Sequence, residues 1–301
     1  MNMRKMIFGL IPFVMILSAC QPSQPKGADQ QKPVVTVSIL PQKYFVERIG
    51  GEQFQVQLMV PPGASPVSYE PSPGQMQKLE HSSGYIRIGH IVFERVWMDK
   101  FLSVNPDLKV FDQSKGVDLI RKGAGGHTSE GRGVDPHIWT SPGQVKTQVR
   151  NIRDFLSQLD SAHSSTYRSN TRDLLEEIDS LDTRIRQRLA GLENTAFLIF
   201  HPALSYFARD YELNQISMQQ EGKEPTASRI KQVIDQSDAA RVEAVFIQKQ
   251  FSTDEARALA RELNARVVQI DPLAYNWMEN MDAMSRAIAK ALEKNREKQQ
   301  E

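Results

Sequence analysis

One cysteine, no excess of either charge and no long apolar run: these three shortages exclude much before any motif is considered. The lone Cys20 can close no internal disulfide and cannot build a thiolate zinc site. A disulfide-stapled miniprotein is thereby excluded. Lys and Arg total 37 against 36 Asp and Glu, a formal net charge of +1. The basic surplus or stripe of a nucleic-acid binder is missing. The apolar run at residues 6–17 has twelve residues, short of the roughly 20 that span a bilayer. What is present is globular: 301 residues, 40% hydrophobic and 24% charged. That length allows about two domains of roughly 100–200 residues each and is too apolar for a disordered chain.

The N-terminus reads as an address. Residues 1–20 are MNMRKMIFGLIPFVMILSAC, with Arg4 and Lys5 before the apolar run and the small Ser18 and Ala19 before Cys20. This is the pattern of a secretory signal peptide. The ending Leu17-Ser18-Ala19-Cys20 is similar to a bacterial lipobox, which implies acylation of Cys20 as the mature N-terminus. Residues 21–32 (QPSQPKGADQQK) are polar with Pro and Gly, as in a flexible tether. The expected organisation is a signal peptide at 1–19, a lipidated tether at 20–33, an N-terminal lobe at 34–140, connecting helices at 141–190 and a C-terminal lobe at 191–301. Such a protein sits on a membrane, facing the periplasm or cell exterior, as a monomer.

From residue 34 short β-rich runs alternate with helical patterns. Strands are expected at 34–40, 53–60, 85–88 and 109–111, with helices at 43–49, 72–79 and 93–102. Residues 81–84 read as a turn, and 122–133 as a Gly-rich loop holding His127. Ser141-Pro142 opens a helix in which Val145, Val149, Ile152, Phe155 and Leu159 recur at helical spacing. A second such pattern, Leu174, Leu175, Ile178, Leu181, Ile185 and Leu189, predicts one long helix over roughly 165–190. After Gly191 the alternation resumes, with strands at 195–200, 216–218, 242–247 and 266–270 and helices between them and at 277–294. The fold class is α/β: two similar βα lobes with parallel sheets, joined by a long rigid helix, with a ligand cleft between them.

In open α/β sheets ligands sit beyond the carboxyl ends of strands. His201 follows the strand ending at Phe200, Asp271 follows the one ending at Ile270, and His137 lies in Val134-Asp135-Pro136-His137-Ile138-Trp139. Two imidazoles and a carboxylate suit Zn²⁺, and also Mn²⁺ or Fe²⁺. Each residue also has a plainer reading: a loop histidine is commonly just hydrogen-bonded, and Asp before Pro is a turn former. Separations of 64 and 70 residues carry no local metal signature. His81, His163 and His127 read as solvated, whereas His90, beyond the strand at 85–88, could face the cleft.

At these residues the sequence resembles the metal-receptor lipoproteins of bacterial ABC importers for zinc and manganese. The resemblance runs from Val34 to about Leu292. It is carried by Pro61-Pro62-Gly63-Ala64-Ser65-Pro66 with Ser68-Tyr69-Glu70-Pro71, Asp135-Pro136-His137-Ile138-Trp139, Phe200-His201 with Tyr206-Phe207-Ala208, Gln250-Phe251-Ser252, and Asp271-Pro272-Leu273. It implies a metal held between the lobes by His137, His201, Asp271 and the residue at position 67. That position is Val67, which donates nothing, so the fourth place falls to a water, Glu70 or His90. The loop at 122–133 holds one histidine where zinc-importing relatives are often His-rich. Gln248 stands where Glu is frequent. His201 is closer to the zinc type, since manganese-type members often carry Glu there.

The function implied is a receptor that captures Zn²⁺, or a related divalent ion, and hands it to an ABC importer permease with its ATPase. Two other readings remain: a lipoprotein of this fold that has lost metal binding and serves adhesion or another ligand, and a zinc hydrolase with a His₂Asp-water site. Against an enzyme, the sequence has no His-Glu-x-x-His helix, nucleophile elbow or glycine phosphate loop.

Overall fold

Two four-stranded, wholly parallel sheets organise the computed structural model, which describes residues 32–121, 133–219, 225–251 and 253–293. The expected signal peptide, Cys20, the tether up to residue 31 and His127 of the Gly-rich loop lie outside the described residues. Among the described residues no helix is long and apolar enough to cross a membrane.

The first sheet comes from β1 (Val34–Val37), α1 (Leu40–Gly50), β2 (Gln55–Leu58), α2 (Pro73–Glu80), β3 (Ser82–Arg87), α3 (Val92–Val104) and β4 (Lys109–Asp112), in the strand order β2-β1-β3-β4. A single-turn helix, Ile138–Thr140, leads into α4 (Pro142–Leu159) and α5 (Ser164–Leu189). The second sheet follows: β5 (Ala196–Ile199), α6 (Ser205–Asp210), β6 (Asn214–Ser217), α7 (Ala227–Ala239), β7 (Ala244–Gln248), α8 (Thr253–Glu262) and β8 (Arg266–Ile270), ordered β6-β5-β7-β8, with α9 (Trp277–Glu293) closing the chain's described part.

Strands buried on both faces need apolar side chains on both, and the period of two sorts them. Phe197 and Ile199 of β5 face one core, while Ala196, Leu198 and the adjoining Phe200 face another. Ala244 and Phe246 of β7 divide from Val245 and Ile247 in the same way. Helix starts are equally local. Ser72 accepts the backbone N–H of Gln75 at 3.3 Å, and the Gln75 side chain accepts the backbone N–H of Ser72 at 3.0 Å. These reciprocal bonds satisfy N–H groups that the first turn of α2 leaves without partners.

The long helix expected at 165–190 is α5, and α4 packs along it. Its buried residues Tyr167, Thr171, Leu174, Ile178, Leu181, Ile185 and Leu189 form one narrow stripe. That stripe joins Val35 and Phe45 of the first half to Phe197, Phe246 and Trp277 of the second in a single apolar core. The two sheets therefore share a core through the helices. Ser82-Ser83-Gly84, expected as a turn, instead begins β3. A Cβ at Gly84 would lie 2.5 Å from the Phe155 ring of α4. Glycine is there because a helix presses on the strand, not because the chain reverses.

In both sheets the strand order reverses about the first strand, between β1 and β3 and between β5 and β7. The crevices beyond these switch points receive the polar side chains.

Candidate metal centre

His137 and His201 meet. Their Nε2 atoms are 3.3 Å apart and the rings lie at 77°, with centroids separated by 5.2 Å. His201 enters from just beyond β5, at the β5/β7 switch point, and His137 from the segment leading into Ile138–Thr140 and α4.

Each ring is held by its other nitrogen. His137 Nδ1 donates to Asp135 Oδ1 at 2.8 Å, and the same oxygen accepts the His137 backbone N–H at 3.0 Å. Asp135 is buried. Burial works to raise its pKa, but the His137 ring, that ring's hydrogen bond, the backbone N–H and the Ser205 hydroxyl outweigh it and bring it down to about 2. An ionised carboxylate only accepts, so Nδ1 carries the hydrogen and Nε2 presents its lone pair. His201 Nδ1 faces Gln219 Oε1 at 3.1 Å, which selects the same tautomer. Gln248, also buried, clamps the His201 main chain: its amide donates to the His201 carbonyl at 2.6 Å and accepts the His201 N–H at 3.4 Å.

The surroundings are aromatic and fixed. Phe251 stacks on His201 with centroids 5.1 Å apart at 25°, and Trp139 lies 5.3 Å from the His137 ring. Trp139 Nε1 donates to the Pro272 carbonyl at 2.8 Å, and the Tyr206 hydroxyl donates to the Asp135 carbonyl at 2.7 Å. Residues from both halves are thus tied into one frame around the histidines.

Two lone pairs pointed at each other across 3.3 Å repel unless a cation lies between them. A tetrahedral zinc with Zn–N bonds of about 2.0–2.1 Å sets two ligand nitrogens about 3.3–3.4 Å apart. The pair has the spacing and tautomers such an ion requires.

The other expected donors stand differently. Asp271 begins the loop after β8, beside Ile39, Val60, Pro61, Gly63 and Gln250. Its Oδ1 accepts from Gln250 Nε2 at 3.0 Å and from the Leu273 N–H at 3.1 Å, and its Oδ2 lies 3.6 Å from Lys249 Nζ. Among the described residues no three His, Cys, Asp or Glu side chains gather as a metal-holding group, so Asp271 does not join the histidine pair here. His90 Nε2 is 3.3 Å from Ser114 Oγ, and burial holds the ring below its ordinary pKa. Glu70 is exposed, and Val67 is 47% exposed on the loop before α2. That loop is anchored by the Phe93 N–H donating to the Pro66 carbonyl at 3.1 Å.

Asp135 and Gln250 sit in the sequence motifs with no role assigned to them, and Gln219 and Lys249 belong to none. The Asp-x-His spacing could have disclosed Asp135, since one carboxylate reaches both the backbone and ring of a residue two positions on. Gln219 has no such signal, because it meets His201 only through the pairing of β5 with β6.

The profile of the family described as ZnuA, zinc-uptake complex component A, periplasmic, matches residues 35–291. The chain belongs to the ZnuA family. A Chlamydia muridarum protein carrying a metal-binding description is 28% identical over 259 residues, 85% of this chain and 90% of that protein. The zinc-binding lipoprotein AdcA of Streptococcus pneumoniae is 26% identical over 292 residues, 93% of this chain and 57% of AdcA. A crystal structure of ZnuA superposes with a TM-score of 0.80 at 38% identity, covering 86% of this chain and 98% of that one. ZnuA-type proteins are solute-binding receptors of metal transport, so the hydrolase reading falls and the receptor reading holds at the level of the family.

Proposed function

We propose that this protein captures Zn²⁺ between His137 and His201 and passes it to the permease of an ABC importer powered by its ATPase. The observation that carries the reading is the facing pair of Nε2 lone pairs, 3.3 Å apart, each fixed by a partner on Nδ1. Two neutral nitrogens of this kind suit zinc and, more loosely, other divalent transition metals.

Asp271 supplies the third donor through Oδ2, the oxygen outside its bonds to Gln250 and Leu273. The Val67 side chain offers no donor, so a water completes a four-coordinate ion. The residues named divide the labour plainly: Asp135 and Gln219 hold the tautomers, Gln248 holds the His201 backbone, and Phe251 and Trp139 keep bulk water from the rings. Membership of a periplasmic receptor family and the lipoprotein description of AdcA support the further reading that acylated Cys20 tethers the protein outside the cytoplasm.

Calorimetric titration of metal-stripped protein tests the assignment. Zinc binds at micromolar Kd or tighter, and His137→Ala or His201→Ala weakens it at least 100-fold while the folded circular-dichroism spectrum is kept. Undiminished binding in both variants would sink the site.

A further inference from the structure

The geometry points to Lys249 as an internal rival of the metal: its ammonium occupies the one carboxylate oxygen of Asp271 that an arriving ion needs. The inference rests on the assignment of Asp271 as a zinc ligand. Lys249 Nζ lies 3.6 Å from Asp271 Oδ2, while Oδ1 already accepts two hydrogen bonds, from Gln250 Nε2 and the Leu273 N–H. Oδ1 is therefore saturated, and Oδ2 is where both cations compete.

The placement follows from the ladder. β7 and β8 pair in parallel with Gln248 opposite Ile270, and the Lys249 N–H continues that ladder by donating to the Ile270 carbonyl at 3.1 Å. Lys249 and Asp271 are thus the first residues past two adjacent strand ends, held side by side by backbone. The lysine side chain is 56% exposed and the aspartate 20% exposed, so the ammonium can swing into water when displaced. It must be displaced, because a zinc–oxygen bond of about 2.0–2.2 Å on Oδ2 would set a dication within a few ångströms of it.

Lys249 consequently lowers zinc affinity and speeds release, returning to the carboxylate as the ion departs. A receptor that must give up its cargo gains from such a counter-ion: the vacated carboxylate is never left bare.

The test is a competition titration against a chromophoric chelator, with zinc release followed by stopped flow, at low ionic strength and again near 1 M salt. Lys249→Gln binds zinc about two- to fivefold tighter than the unaltered protein, the size set by an exposed ion pair. Release slows by a similar factor, and the difference shrinks at high salt, where exposed charges are screened. Lys249→Arg, which keeps the charge, stays near the original Kd. Lys43→Gln, which removes an ammonium paired with Glu47 on α1, leaves the Kd unchanged. Equal or weaker binding by Lys249→Gln, with the parent protein binding normally, overturns the role of Lys249 alone. Failure of the parent protein to bind zinc overturns the receptor assignment, and this inference with it.

Discussion

Replacing Asp135 by Asn isolates the charge behind His137 from the hydrogen bond behind it. The carboxylate is 2% exposed and accepts both the ring Nδ1–H, at 2.8 Å, and the backbone N–H, at 3.0 Å. An asparagine oxygen keeps both contacts but not the charge. Hydrogen bonds to a charged group contribute roughly 1.5–3 kcal/mol, and neutral ones about 0.5–1.5 kcal/mol. The difference, about 1–1.5 kcal/mol, corresponds to roughly a five- to tenfold loss of zinc affinity. Asp135→Ala also releases the ring to turn and to change tautomer, so its loss reaches the 10- to 100-fold range of removed partners behind metal-bound histidines. A chromophoric chelator of known affinity measures both in metal-free buffer. The ordering is the decisive part: parent, then Asn, then Ala. An Asn variant as tight as the parent, or weaker than Ala, would refute the view that this carboxylate acts through its charge on His137.

Val67→His should tighten zinc binding by at least tenfold, because its loop borders the cavity of Asp271 and would return a fourth protein donor. An unchanged Kd would place position 67 out of reach of the ion. Glu94 gives a pH signature independent of metal. Burial is the main influence on it and raises its pKa to about 7, against hydrogen bonds from Ser38, Ile88 and Gly89 that favour the charged form. A raised carboxyl is stabilising while protonated, so this contribution is complete below about pH 4.5 and is lost as pH climbs to about 7, up to roughly 3 kcal/mol in all. Urea denaturation across that window should show the decline, and Glu94→Gln should flatten it. A parallel slope in the variant would dismiss Glu94 as its source.

Much of the fold was legible because its determinants are local. The run at 195–200 is apolar on both faces, as a strand covered on both sides needs, and became β5; the run at 34–40, apolar but for Thr36 and Ser38, became β1, with those two hydroxyls hydrogen-bonded to Ser82 and Tyr85. The stripe from Leu174 to Leu189 specified α5 through its 3.6-residue period alone. Where local chemistry misled, a distant contact was responsible. Ser82-Ser83-Gly84 has turn composition, yet Phe155, far along the chain, demands a residue with no Cβ. The candidate donors His201 and Asp271 were nameable because strand ends are where polar residues can collect, and His137 because it lies in the turn before a helix, but naming did not say which of them meet.

By itself the sequence determined the class of protein: parallel α/β halves, a helical spine, a chain without thiolate chemistry in its body and a family-specific order of motifs. The first three follow from composition and short-range periodicity, which the backbone translates directly into helices and strands; the motif order speaks only through resemblance to a known family. Only the tertiary structure decided which of the candidate side chains stand together. It set the two Nε2 atoms 3.3 Å apart, put Asp135 and Gln219 behind them, and placed Lys249 and Gln250 beside Asp271. The reason is geometric. A contact between residues 64 positions apart depends on how whole strands and helices pack, and no window of sequence contains that information.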